Sequence, residues 1–378
     1  MTDSTLYFDH AATTPVRPEV AAAVERCLAW SWGNASSSHA PGRAARAALE
    51  EARERVAAAI GATAREVYFT SGGTEADNLA VLGRWRATRG AIALSAVEHS
   101  AVREATAIGA REGATVLTLA VDEDGRLDLG ALEEALEEGP SLVSVMWGNN
   151  ETGTLQPVTE VAVLCMERSV PFHTDAVQAV GHVPVRMNRT PCSLLSLSAH
   201  KLGGPPGVGA LFVRDGVKIE PLLGGGGQER GLRAGTSNVA GATGLAVALD
   251  LAVRDLETER SRLAGLRSRL AKTLIDAVPD LRVNGGGAER LPHILNLGLD
   301  GVAADVLVAS LDLAGLAVST GSACHSGAAE PSHVLMAMGA TADAVIRFSF
   351  GWTTTSAEVD RGATAFLEVL ERTRATVA

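Results

Sequence analysis

Cysteine is scarce in this chain. Four residues, Cys27, Cys165, Cys192 and Cys324, lie far apart along 378 positions and form no C-x-x-C pair. That spacing argues against a zinc knuckle, a dithiol redox motif or a disulfide framework. Aromatic side chains make up only 4% of the sequence, and alanine and glycine abound. Such a composition favours a close-packed helix-and-sheet enzyme over an all-β receptor-type fold. No apolar run approaches the roughly 18 residues of a membrane span, and Met1 to Thr5 lack the basic stretch and apolar core of a signal peptide. A reducing, cytoplasmic address without membrane attachment is therefore expected. A glycine-lysine dipeptide, a G-x-S-x-G elbow and an H-E-x-x-H pair are all missing, which removes P-loop, serine-hydrolase and zinc-protease readings. Basic residues number 33 against 44 acidic, a net charge of −11. An acidic balance argues against a surface that itself grips nucleic acid or anionic membrane.

What is present is length and alternation. At about 150 residues per domain the chain suits two or three domains, each able to bury a core. Alanines with Leu49, Val56 and Ile60 among Arg and Glu give a helical pattern from Arg43 to Ile60, which Gly61 should stop. Short apolar runs follow at Val67-Tyr68-Phe69, Ile92-Ala93-Leu94, Val116 to Leu119, Leu142 to Met146 and Leu194 to Leu197, separated by helical stretches. This alternation predicts an α/β domain whose mostly parallel sheet is covered on both faces. Charge becomes dense from Asp255 to Arg260, so a large domain spanning residues 15–250 is expected. A smaller α+β domain would span 251–378, with residues 1–14 packing on it.

Three segments could carry chemistry. Ser71-Gly72-Gly73-Thr74 lies between a strand and a helix, where backbone N–H groups and the helix dipole can hold a phosphate, although glycines there often serve backbone geometry alone. Asp175, in His173-Thr174-Asp175-Ala176-Val177-Gln178, is either a helix cap or a buried acid. Lys201 follows the run Leu194 to Leu197 through Ser198-Ala199-His200 and enters a Gly/Pro-rich turn, a place where an amine can serve as a Schiff-base nucleophile. A phosphate cradle, an acid for a pyridinium nitrogen and an amine for an aldehyde together describe pyridoxal 5'-phosphate. The run Gly224 to Gly227, with Gln228 to Gly231 behind it, reads as a flexible loop.

In these and further segments the sequence resembles the pyridoxal-phosphate-dependent cysteine desulfurases of the NifS/IscS type. The matching residues are Tyr7 to Pro15, Gly33 to His39, Phe69 to Glu75, Glu98-His99, Asn149 to Gly153, the Asp175 and Lys201 segments, Gly226 to Thr236, and Ser319 to Cys324. The resemblance implies the type I fold of such transferases, with a mostly parallel seven-stranded sheet in the large domain. It implies that Lys201 joins the cofactor and then moves the Cα proton, and that Asp175 pairs with the ring nitrogen. Gln178 and Asn150 would contact the ring-oxygen side, and His99 would stack on the ring. Gly73, Thr74, Ser198 and His200 would hold the phosphate, with Thr236 reaching it from the neighbouring subunit of a homodimer. Arg347, assisted by Asn34, would clamp the substrate carboxylate; as a bare observation, an arginine amid apolar residues is equally a structural ion pair. No metal is implied.

Cys324 follows a stretch of small residues, which suits a nucleophile that takes sulfur from L-cysteine and delivers it as a persulfide to an acceptor protein. Cys27, Cys165 and Cys192 read as structural. Acceptors for iron–sulfur assembly, tRNA thiolation, DNA phosphorothioation or another thio-cofactor route all fit. The alternatives are a selenocysteine lyase or another class V lyase and, outside enzymes, an inactive sulfur-relay or scaffold subunit. Two departures from the family pattern stand out. His325 occupies a place where a small hydroxyl residue is usual, and the chain ends soon after one final helix, about Ala357 to Arg372, which leaves the scaffold partner open.

Overall fold

The computed structural model describes residues 5–320 and 332–377. Seven strands, β2 (Val67–Thr70), β3 (Ala91–Ser95), β4 (Thr115–Leu119), β5 (Leu142–Ser144), β6 (Phe172–Asp175), β7 (Leu194–Ser198) and β8 (Gly209–Val213), form one sheet in the order β2-β8-β7-β6-β5-β3-β4. Only β8 runs against its neighbours, so the other six point the same way. The central strands β5, β6, β7 and β8 are buried along their whole length, as expected of a sheet covered on both faces.

The helix Ala40–Ile60 shows why the local sequence folds as it does. His39 caps its start by accepting the Gly42 N–H at 3.3 Å, and Gly61 ends it in the left-handed region at φ 70°. Between them Ala45, Leu49, Ala52 and Val56 form a stripe packed in the same core as the alanine-rich face of Val239–Arg254. Cys27 and Cys165 lie on helices and Cys192 just before β7; all three are buried free thiols.

A second apolar core is separate from the first. Leu263, Leu266, Leu270 and Leu274 of the helix Leu256–Ala277 pack with β10 (Ile294–Leu299), β12 (Ala344–Ser349) and the helix Ser356–Val377. With β9 (Arg282–Val283) these strands make an antiparallel sheet in the order β12-β10-β9. Near the chain start, β1 (Leu6–Tyr7) pairs in parallel with β11 (Leu316–Ala317). Leu6 and Phe8 belong to the second core and Ala11 to the first, so Asp9 to Ala12 cross from one core to the other. Among the described residues no helix is long and apolar enough to cross a membrane.

The stretch expected to be a flexible loop is instead pinned at Glu229. This buried carboxylate takes both Arg53 terminal nitrogens, at 2.6 and 2.9 Å, and the Phe69 N–H at 2.9 Å. Arg230 donates to the Val67 carbonyl at 2.7 Å, and Arg233 pairs with Glu75 at 2.8 Å. Three contacts thus tie the loop to β2 and to the helix start that follows it. Glu229→Ala would leave the buried Arg53 with only the half-exposed Glu50 at 3.2 Å and the Val67 carbonyl at 2.9 Å, and should lower stability by up to about 3 kcal/mol in urea titrations. The double variant Arg53→Met with Glu229→Leu should recover most of that loss, because it removes both charges together.

Candidate active site

Strands β2, β3, β5, β6 and β7 end at the same edge of the sheet, and the chain after each end supplies a side chain to one cavity of about 370 Å³. Such an edge is where parallel α/β sheets build their sites. Gly73 and Thr74 follow β2, His99 follows β3, Asn150 follows β5, and Asp175 ends β6 with Gln178 one turn on. Ser198, His200 and Lys201 follow β7, and Arg347 comes from β12. A methyl group on Gly73 would lie 2.8 Å from Val177 Cγ2, so the cradle needs glycine there.

Lys201 Nζ donates to the carbonyls of Ala11 and Ala12 at 2.5 and 2.7 Å, held by the segment that crosses between the cores. The chain has only three lysines. Lys218 is exposed and Lys272 pairs with Asp276 on a helix, which leaves Lys201 as the amine of the cavity. His99 caps the helix Ser100–Arg111 by accepting the Ala101 N–H on Nδ1 at 3.1 Å. Its neutral form must therefore carry the proton on Nε2. Capping and cavity-lining are thus both true of His99.

Asp77 and Asp175 line the cavity, and a third acid, Glu98, is buried near enough to feel the charge of Asp175. Asp77 and Glu98 are almost completely buried, as is Asp175, and ligand atoms of Asp77, His99 and Asp175 lie within 4.8 Å of one another. Burial, then the charge of Asp175, pushes Glu98 up to about 8, and the same two causes hold Asp77 well above the usual range. Burial also raises Asp175, but the charges of His99 and Lys201 and the Val177 N–H at 2.9 Å oppose it. His173, bonded to Ser144 and Ser196 at 2.9 and 3.0 Å, is lowered by burial to about 3. Its contact with Asp77 at 3.6 Å is therefore between neutral groups. The charge of Asp175 is among the causes that raise both Asp77 and Glu98, and the Lys201 amine favours the ionised form of Asp175, so of the three acids Asp175 is the one best placed to carry the charge.

Arg347 makes the structural ion pair that was one of its two readings, and it also faces the cavity. It is 2% exposed, donates to Asp9 Oδ1 and to the Asn150 carbonyl at 2.8 Å each, and lines the cavity, with Nε buried and without a hydrogen-bond partner. Asn34 is not brought to this cavity: it is exposed and accepts the Ser36 N–H. Thr236, expected to act on a neighbouring copy, is exposed on the loop after Gly235. Cys324 and His325 lie outside the described residues. Asp77, Glu98, His173 and Asp9 were missed as site residues by sequence reasoning; Glu98, beside Val97 and next to His99, offered the clearest hint.

The donor set fits pyridoxal phosphate. The glycine cradle with Thr74, Ser198 and His200 suits a phosphate, the buried acid Asp175 suits a protonated ring nitrogen, and Lys201 is the cavity's amine. The family description "Aminotransferase class-V" matches residues 6–361. An IscS-like cysteine desulfurase of Mycobacterium tuberculosis is 46% identical over 380 residues, covering 96% of this chain and 95% of the relative. Among solved structures, a NifS-like protein superposes with a TM-score of 0.91 at 34% identity, covering 97% of this chain and all of the other. SspA in complex with cysteine superposes with a TM-score of 0.78 at 31% identity, covering 91% and 98%. The chain belongs to the class V aminotransferase family, whose cysteine desulfurases depend on pyridoxal phosphate.

The acid cluster has a measurable consequence. The Glu98 carboxyl ionises near 4.5 when unfolded and near 8 when folded, so stability is lost as pH rises between those values, by up to roughly 1.4 kcal/mol per pH unit. Glu98→Gln should flatten that decline in urea titrations from pH 5.5 to 8.5. An unchanged slope would place the proton elsewhere.

Proposed function

We infer that this chain is a cysteine desulfurase, converting L-cysteine to L-alanine and passing the sulfur to an acceptor. The observation that carries the reading is the meeting of Lys201, Asp175, His99, Gln178 and Arg347, from distant parts of the chain, on one cavity. When bound, pyridoxal phosphate supplies an electron sink conjugated to the substrate Cα. Lys201 would be the amine that holds the cofactor's aldehyde end, and its Nζ, once free, would be the base for the substrate Cα proton. Asp175 keeps the ring-nitrogen proton in place through a charged hydrogen bond. Gly73, Thr74, Ser198 and His200 bind the phosphate, with Thr236 of a second copy completing the shell in a homodimer. Gln178 and Asn150 serve the ring-oxygen side, and His99 packs on the ring with its Nε2 proton. Arg347 binds the substrate carboxylate and Asn34 assists.

Cys324 is the sulfur acceptor within the chain. Its thiolate attacks substrate Sγ, the Cβ–Sγ bond breaks with its electron pair left on the three-carbon fragment, and protonation of that fragment gives alanine. Cys324 then holds a persulfide, which a thiol of an acceptor protein collects. The cytoplasm, a reducing compartment, suits a thiol that must stay free. The reading also takes residues 15–250 as the cofactor-binding unit, and 251–378 with 1–14 as the smaller one.

The visible spectrum of the purified protein, with alanine and sulfide measured after adding L-cysteine, tests this. Lys201→Ala should lose the normal visible band and lower alanine formation by at least about 100-fold. Cys324→Ala should keep the band and lose alanine. A coloured Cys324→Ala protein that still makes alanine would indicate a lyase instead, and a colourless, inert wild type would sink the catalytic reading.

A further inference from the structure

His293 lies at the entry to β10 and is 1% exposed. It leads into the three-stranded sheet rather than the seven-stranded one, yet its Nε2 is 3.2 Å from Oε1 of Gln178. The orientation of that amide is determined by its other end. Gln178 Nε2 donates to the Ala11 carbonyl at 2.9 Å, and the reversed amide would put two oxygens face to face. Oε1 must therefore face His293, and His293 must donate from Nε2. Its Nδ1 is buried without a hydrogen-bond partner, which agrees with a proton on Nε2 alone. His182 stacks on the ring, with centroids 3.7 Å apart and planes inclined by 21°, so the imidazole cannot readily turn. Burial, together with the nearby charges of His182, His10, Arg347 and Arg267, keeps His293 neutral well below the usual histidine range.

Gln178 thus has one amide hydrogen committed to Ala11, its oxygen committed to His293, and one hydrogen left to offer to the cavity it lines. The same Ala11 carbonyl also receives Lys201 Nζ, so amide and amine share one anchor. We propose that His293 is a positioning residue that fixes the Gln178 amide and, through it, the hydrogen bond offered to the cofactor's ring oxygen. This rests on the reading of Gln178 as the ring-oxygen contact. Without the His293 donor, Oε1 becomes a buried acceptor with no partner, and the amide rotates or shifts to find one.

The test is the pH midpoint at which the visible band of the pyridoxal-phosphate-loaded protein changes, read beside the cofactor dissociation constant. A donor on the ring oxygen draws electron density from the conjugated lysine nitrogen, so losing it raises that midpoint. His293→Leu and Gln178→Leu should each raise it by about half a pH unit or more. His293→Gln, which can place an N–H where Nε2 lies, should return it to the wild-type value. His293→Asn, whose N–H lies nearer the Nδ1 position, should not. The Gln and Asn variants decide the matter even if the leucine variant fails to fold. If Gln178→Leu leaves the midpoint unmoved, the reading of Gln178 is wrong. If Gln178→Leu moves it while His293→Leu and His293→Asn match the wild type, the role of His293 is overturned.

Discussion

Asp175 is an acid in a place that water barely reaches, and the site is arranged around the cost of charging it there. A bare buried carboxylate is expensive, and two more acids beside it would make the cost prohibitive if all three ionised. The protein meets this by letting Asp77 and Glu98 hold protons and by facing Asp175 with His99, Lys201 and the Val177 N–H. What results is a single localised charge suited to a cationic ring nitrogen. The parallel strands then deliver Thr74, His99, Asn150, Ser198, His200 and Lys201 to the same edge, because their ends coincide there.

The N-terminal crossing segment connects this electrostatic floor to the second core. Leu6 and Phe8 anchor one end and Ala11 the other. Between them, Asp9 holds Arg347, and the Ala11 carbonyl takes both Lys201 and Gln178. A short stretch of backbone therefore sets the relation between the Arg347 guanidinium, the Lys201 amine and the Gln178 amide. Any shift of the second core against the first would move all three at once. Restraint of the flanking elements follows the same logic, since Arg53 and Glu229 pin the loop that runs on to Thr236.

Much of this was legible in the sequence. The apolar runs at Ile92, Leu142 and Leu194 marked strands because a sheet covered on both faces needs no polar alternation. Lys201 and Asp175 were legible because each follows or ends such a run. Contacts between distant segments were not. Nothing around Glu229 announces Arg53, some 170 residues earlier, and a run of glycines reads as slack until its anchors are known. His293 stands in the sequence merely ahead of the apolar pair Ile294 and Leu295, and only the fold brings it to Gln178. For Arg347 the two sequence readings were not exclusive, since pairing with Asp9 is what holds the guanidinium at the cavity wall.

The charge on Asp175 is the claim on which the account stands, and Asp175→Asn tests it with little change in shape. Pyridoxal phosphate binding and alanine formation from L-cysteine should be measured side by side for the variant and the wild type. The account predicts that the variant still takes up the cofactor but forms alanine at least about 100-fold more slowly, because the amide cannot keep the ring nitrogen protonated. Equal rates in the two proteins would contradict it.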